Sequence, residues 1–290
     1  MASPPFPTRS GDLDRPDGAR IHWRVDGPTG HDGPRVVLLA PEHRTLLVWS
    51  DDLVTALHAI GASCVRLDWR EQGRSEPGPH APTFAAFCGD TVAVLDELQG
   101  PLDVVVGVGL GAMVARHVAS AASGSALVVV NGFDDYLATD VAGPDEADVV
   151  RLVLRGRPDG GAADRRALLR ELRLLGGSTD GPDGEAGGAD VVVDAWLAHG
   201  QRMVDRHRQV LFEARPPTHT ATHGGGIRVL HGAENRLVPL DHGRVVARRL
   251  GVDLRIVPTA GHHLGPTLRS AVLEEITALL GHRPIRRAAH

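Results

Sequence analysis

The sequence contains no lysine: all 31 of its basic residues are arginine, set against 36 acidic residues for a net charge of −5. With the load of Ala, Gly, Asp and Val, this looks like the codon usage of a GC-rich bacterial genome and not a functional device. A chain of this charge has no basic footprint, so nucleic acid is not an expected partner. Cysteine is equally scarce. Cys64 and Cys88 are the only two. They make no disulfide framework, and each falls in a strand or helix pattern as a small core residue. No apolar run is long enough to span a bilayer, which excludes a spanning helix. The opening residues, MASPPFPTRS, lack the apolar stretch of a signal peptide, so the expected location is the cytoplasm.

What is present is a 290-residue chain, 42% hydrophobic, enough for one large domain with an insertion or for two small ones. It is organised around residues 101–121, PLDVVVGVGLGAMVARHVASA. The β-branched run Val104-Val105-Val106 ends in a glycine cluster, and a helix pattern of small residues follows. That predicts a buried strand, a tight turn and a helix. The turn, Gly107-Val108-Gly109-Leu110-Gly111-Ala112, also fits the G-x-G-x-x-G/A fingerprint of dinucleotide sites. That fingerprint normally sits in a compact βαβ unit with an acid about 20 residues on. Here it follows several strands, and Asn131 ends the next one. The reading therefore assigns no cofactor and keeps a nucleotide-dependent enzyme as a third option.

In chain order, residues 1–18 are rich in Pro, Asp and Gly and are expected to form a flexible tail. Arg20–Asp26 alternates as an edge strand would. Strands are predicted at Val36–Ala40, Ser63–Leu67, Ala126–Asn131, Ile227–His231 and Leu254–Val257. Helices are predicted at Val48–Ile60, Phe84–Leu98, His242–Leu250 and Leu268–Leu280. This alternation predicts an α/β protein with a mostly parallel sheet covered on both faces. It lapses over 133–225, where helix patterns at Glu146–Leu154, Ala163–Leu175 and Val191–Glu213 predict a helical cap. The expected division is a core in two parts, 19–132 and 226–282, the cap between them, and a C-terminal tail at 283–290. His219 and His223 have helix-face spacing but lie in a Pro/Thr/Gly-rich segment without a third ligand, so no metal is assigned.

Four stretches carry a resemblance. They are Asp68-Trp69-Arg70-Glu71-Gln72-Gly73-Arg74-Ser75, the turn Gly107–Gly111, His231-Gly232-Ala233-Glu234-Asn235-Arg236-Leu237-Val238-Pro239, and Ala260-Gly261-His262-His263. With the element order, they resemble the capped α/β-hydrolase family along nearly the whole chain. Within it the chain is similar to the aclacinomycin-methylesterase branch, which trims aromatic polyketides. The resemblance implies a nucleophile elbow, G-x-S-x-G, at the turn. It also implies a serine, a histidine that takes its proton, and an aspartate that holds the histidine. Here Gly109 stands at the serine position and Asn235 at the aspartate position, and His262 alone matches. An acyl-enzyme route through residue 109 is chemically closed.

The oxyanion donors implied are the Leu110 N–H and one from the loop Ala40-Pro41-Glu42-His43-Arg44. Glu42, His43 and Arg44 put charged or titratable groups where the family usually has glycines or His-Gly. The candidate catalytic residues are His262, Glu42, His43 and Asn235. Asn235 is expected to orient His262 by accepting from its Nδ1–H. Asp134 and Asp135 are a possible substitute acid, with capping of the first cap helix as the favoured alternative. The resulting expectation is cofactor-free tailoring of a small apolar or aromatic, polyketide-like molecule by acid/base chemistry: cyclisation, elimination, isomerisation or decarboxylation. Direct attack by water stays open, as does a catalytically silent binding protein.

Overall fold

The computed structural model describes residues 6–28, 33–42, 44–122, 124–136, 165, 169, 175–176, 204–217 and 225–281. Among them, eight strands form one sheet in the order β1-β2-β4-β3-β5-β6-β7-β8. The strands are β1 (Thr8–Asp14), β2 (Arg20–Asp26), β3 (Arg35–Leu39), β4 (Ser63–Leu67), β5 (Val104–Val108), β6 (Ala126–Val130), β7 (Ile227–Gly232) and β8 (Leu254–Val257). The helices are α1 (Asp51–Ala59), α2 (Phe84–Leu98), α3 (Leu110–Ala121), α4 (Val204–Glu213), α5 (Leu240–Leu250) and α6 (Pro266–Gly281). From β4 to β8 every neighbouring pair is parallel, while β1–β2 and β2–β4 are antiparallel.

Residues 8–14, expected within a flexible tail, instead form β1, and Arg20–Asp26 is consequently not the sheet edge. Their composition hides this. The strand is mostly exposed and has no apolar alternation. It is held by backbone pairing to β2 and by the Trp23 indole, which lies so close over Gly11 that an added Cβ would stand 2.5 Å from its ring. An unpatterned strand of this kind is legible only once its partner is placed.

The remaining elements follow their sequence signals. Ser50 accepts from the Leu53 N–H and Thr83 from the Ala86 N–H, so each caps a helix start. Gly251, with φ +68°, ends α5 in the left-handed conformation that a side chain would oppose. All five residues of β3, β4, β5 and β6 are buried. Burying each Val or Leu there stabilises the fold by about 1.5–3 kcal/mol. Two apolar clusters lie on opposite faces of the sheet. One holds α1 and α6; the other holds α2, α3 and α5 with Val210 and Leu211 of α4. Cys64 and Cys88 have no disulfide partner, and burial raises both thiols to about 12, which leaves them unreactive.

Of the predicted cap, α4 lies within Val191–Glu213 and Leu175 ends the second pattern. The pattern Glu146–Leu154 lies outside the described residues, as do His219 and His223.

Candidate active site

The β5–α3 crossing is tight because two glycines let backbones touch. A Cβ on Gly107 would meet the Gly111 carbonyl oxygen at 2.1 Å, and one on Gly111 would meet the Ala40 oxygen at 2.4 Å. Between them Gly109 turns the chain at φ +54°, ψ −121°, a conformation that opposes any side chain. The crossing aims the Leu110 N–H, first donor of α3, at the space above Gly109.

That space is filled by Glu42. Its Oε2 accepts from the Leu110 N–H at 3.0 Å, and its Oε1 lies 3.6 Å from His262 Nε2. A Cβ built on Gly109 would stand 2.7 Å from Glu42 Oε2 and 3.5 Å from His262 Cε1. Glu42 and His262 are 5% and 3% exposed. The carboxylate thus lies at the positive end of α3, which favours its charge. Its loop is pinned from β4, because Trp69 Nε1 donates to the Ala40 and Pro41 oxygens and Asp68 Oδ1 accepts from the Leu46 N–H. Arg44, on the same loop, is also buried. His43 lies outside the described residues.

His262 follows β8. The structure departs here from the expected ring contact. Asn235 Oδ1 accepts from the N–H groups of Leu237 and Val238 at 3.1 and 2.9 Å, closing its own turn. His262 Nδ1 and Asn235 Nδ2 are both buried without a hydrogen-bond partner. A short polar side chain three residues before Val238 satisfies its local backbone first, and the orienting role expected of Asn235 lapses. Asp134 and Asp135 are not acid partners either. Asp134 lies between Arg116 of α3 and Arg249 of α5, at 2.5 and 2.9 Å, and Asp135 lies 3.5 Å from Arg215. Arg116 comes from α3, Arg249 from α5 and Arg215 from just past α4.

One residue near the site had no role in the sequence reading. Tyr136, the only tyrosine of the chain, donates from its hydroxyl to the Leu237 oxygen at 3.2 Å. Burial, and then the negative charge of Glu42, push its pKa above the ordinary phenol value, so it stays protonated. Its ring packs against Phe133, Phe212 and His242. The signal available was its singularity and its place just past the end of a central parallel strand. Behind the site, His231 is fully buried and its pKa is lowered to about 4, chiefly by desolvation. Its Nε2–H donates to the Val238 oxygen at 2.8 Å, as a neutral imidazole can.

Among the described residues no three His, Cys, Asp or Glu side chains are grouped to hold a metal ion, and no helix is long and apolar enough to cross a membrane. No curated protein matches the chain in sequence. Solved structures match it closely in fold. An esterase from a Rhodococcus species is 19% identical, with 94% of this chain and 98% of that one covered and a TM-score of 0.74. An esterase from Exiguobacterium antarcticum is 14% identical over 93% and 98%, at 0.73. The enol-lactonase of Burkholderia xenovorans is 17% identical over 91% and 97%, at 0.68. The sequence model of the alpha/beta hydrolase family matches residues 16–276. By that match, and by an eight-stranded, mostly parallel sheet with helices on both faces, this chain belongs to the alpha/beta hydrolase family.

Proposed function

We propose that this chain is a cofactor-free enzyme that moves a proton on a small apolar or aromatic, polyketide-like substrate without a serine nucleophile. The observation that carries the reading is the buried Glu42 carboxylate, held by the Leu110 N–H beside His262 over a residue with no side chain. A carboxylate and an imidazole facing one reacting atom are the parts of a general acid/base pair. Glu42 is the base. Glu42 takes the proton from the substrate carbon and returns it to the product, while His262, with Nδ1 unpartnered and its Nε2–H toward the carboxylate, stays neutral and stabilises the carboxylate charge. When substrate enters, its carbonyl oxygen takes the Leu110 N–H from Glu42, and that donor stabilises the enolate formed as the adjacent carbon loses its proton. The partly exposed, stacked rings of Tyr136 and Phe212 support an apolar ligand. Cyclisation, elimination, isomerisation and decarboxylation all pass through such an anion.

A second reading is hydrolysis by water activated by the same pair. It is favoured by the fold's likeness to two esterases and an enol-lactonase.

The test is solvent exchange. A panel of aromatic β-ketoesters and β-diketones is incubated with the protein in D2O, and deuterium at the acidic carbon is followed by NMR. Protein-dependent exchange is expected, and Glu42→Gln and His262→Ala each lower it by about 10²–10⁴-fold. Ester cleavage without exchange would select the second reading. Stoichiometric fluorophosphonate labelling of a serine would overturn both.

A further inference from the structure

His262 lies over Gly109 with Nδ1 unpartnered and with Nε2 3.6 Å from Glu42 Oε1, beyond hydrogen-bond length. Its main chain, by contrast, is gripped from two sides. The Asn131 amide is fully buried at the end of β6. Its Nδ2 donates to the Gly261 and His262 oxygens at 3.1 and 3.0 Å, and its Oδ1 accepts from the Gly232 N–H at 2.9 Å. One side chain therefore fastens the histidine loop to the ends of two neighbouring strands. Asn131 holds φ +51°, a left-handed conformation that Asn tolerates better than most residues. From the other side, the Leu175 oxygen accepts from the His262 N–H at 2.7 Å and the His263 N–H at 3.3 Å. Leu175 is 2% exposed, its side chain packed in the core cluster that also holds Phe133 and Leu237.

We propose that Asn131 and Leu175 are positioning residues that hold the His262 ring over Gly109 through its main chain, where no side chain is bonded to Nδ1. The role rests on the reading of His262 given above, but its test does not depend on turnover. With N–H and C=O both anchored, the position of Cα and the direction of Cβ are set, and χ1 and χ2 are what remain to be set by packing and by Glu42. The Leu175 carbonyl is thereby coupled to the histidine, so that displacing it frees the ring.

The experiment uses the full chain labelled with ¹⁵N-histidine. Long-range proton–nitrogen spectra report the tautomer of each ring, and His262→Gln assigns the signal. The wild type is expected to show His262 as one tautomer, protonated on Nε2, with a signal that moves in Glu42→Gln. Asn131→Asp keeps the shape, the left-handed tolerance and the acceptor for Gly232, but turns an oxygen toward two carbonyls. It is expected to average the two His262 tautomers and to remove the response to Glu42→Gln, with the His22 and His231 signals unchanged as the control of fold. Leu175→Ala leaves Asn131 intact and serves if the first variant does not fold. It should speed amide exchange at His262 by at least about tenfold and average the tautomers likewise, and Leu175→Met should restore both. A wild-type His262 spectrum in either Asn131→Asp or Leu175→Ala overturns the proposal. If the spectra behave as expected while no substrate exchanges in D2O, the acid/base reading falls and the positioning stands.

Discussion

Two buried acid–base pairs in this protein differ in how far they are satisfied. At the β2–β4 border, Arg66 and Asp26 are both fully buried. Asp26 accepts from Arg66 Nε and Nη2 at 3.1 and 2.6 Å, from Arg24 Nε at 2.7 Å and from Thr8 Oγ1 at 3.0 Å, and Arg66 Nη1 donates to the Trp49 oxygen. At the ends of β3 and β5, Glu42 and His262 are nearly as buried but stand 3.6 Å apart, beyond hydrogen-bond length, and His262 Nδ1 has no partner. A saturated pair has nothing left to offer a ligand and serves the fold. In the second pair the imidazole Nδ1 is left buried without a partner, and an unmade hydrogen bond of that kind costs stability. The first pair serves the fold, and the second holds the two groups to which the proposed proton transfer is assigned.

The largest effect expected from this contrast is at the saturated pair. Asp26→Asn leaves Arg66 charged, buried and short of its partner, and should lower the free energy of unfolding by about 3–5 kcal/mol. Replacing both residues, Asp26→Leu with Arg66→Met, should cost much less. Denaturant unfolding of the two variants checks this. A single variant no worse than the double would show that the pair is not the closed unit its geometry describes.

Next is His231, a third kind of buried group, which survives by staying neutral. Its folded pKa of about 4 lies below the ordinary value of 6.5. Between those limits the unfolded chain binds more protons, so stability is fully present above pH 6.5 and is lost as the pH falls toward 4. The loss reaches about 3 kcal/mol. His231→Gln keeps a donor for the Val238 oxygen and should flatten unfolding midpoints between pH 4 and 6.5. An unchanged slope would place the acid sensitivity elsewhere.

The smallest expected effect is a null. Gly109→Ser puts its Cβ against Glu42 Oε2, on a backbone at φ +54° that resists side chains. With Glu42 still bonded to the Leu110 N–H and His262 Nδ1 still unpartnered, fluorophosphonate should not label this variant. Adding Glu42→Gly clears the donor, and slow labelling should first appear there. Equal labelling in the single and double variants would mean that Glu42 does not control that space.

Most of the fold was legible in the residues. Ser63–Leu67, Phe84–Leu98 and Leu254–Val257 coincide with β4, α2 and β8 as read from period and flanking turns. The expected absence of a side chain at the β5–α3 turn follows from the identity of residue 109, and the glycines around it announce close backbone contact. β1 escaped because its residues carry no apolar alternation. Tyr136 escaped because its relation to Glu42 spans two strand ends.

The sequence by itself determined the alternation of strands and helices, the elbow with its glycine tip, and the placing of His262 after the last strand. These are local matters of period, turn chemistry and side-chain volume. Only the tertiary structure decided who faces whom. Asn235 turned to its own loop, Asp134 and Asp135 to arginines, Glu42 to the Leu110 N–H, and Asn131 to the backbone of His262. Each choice is a competition among several polar partners brought within reach by the parallel sheet. Its outcome depends on distances and burial that no single stretch of chain contains.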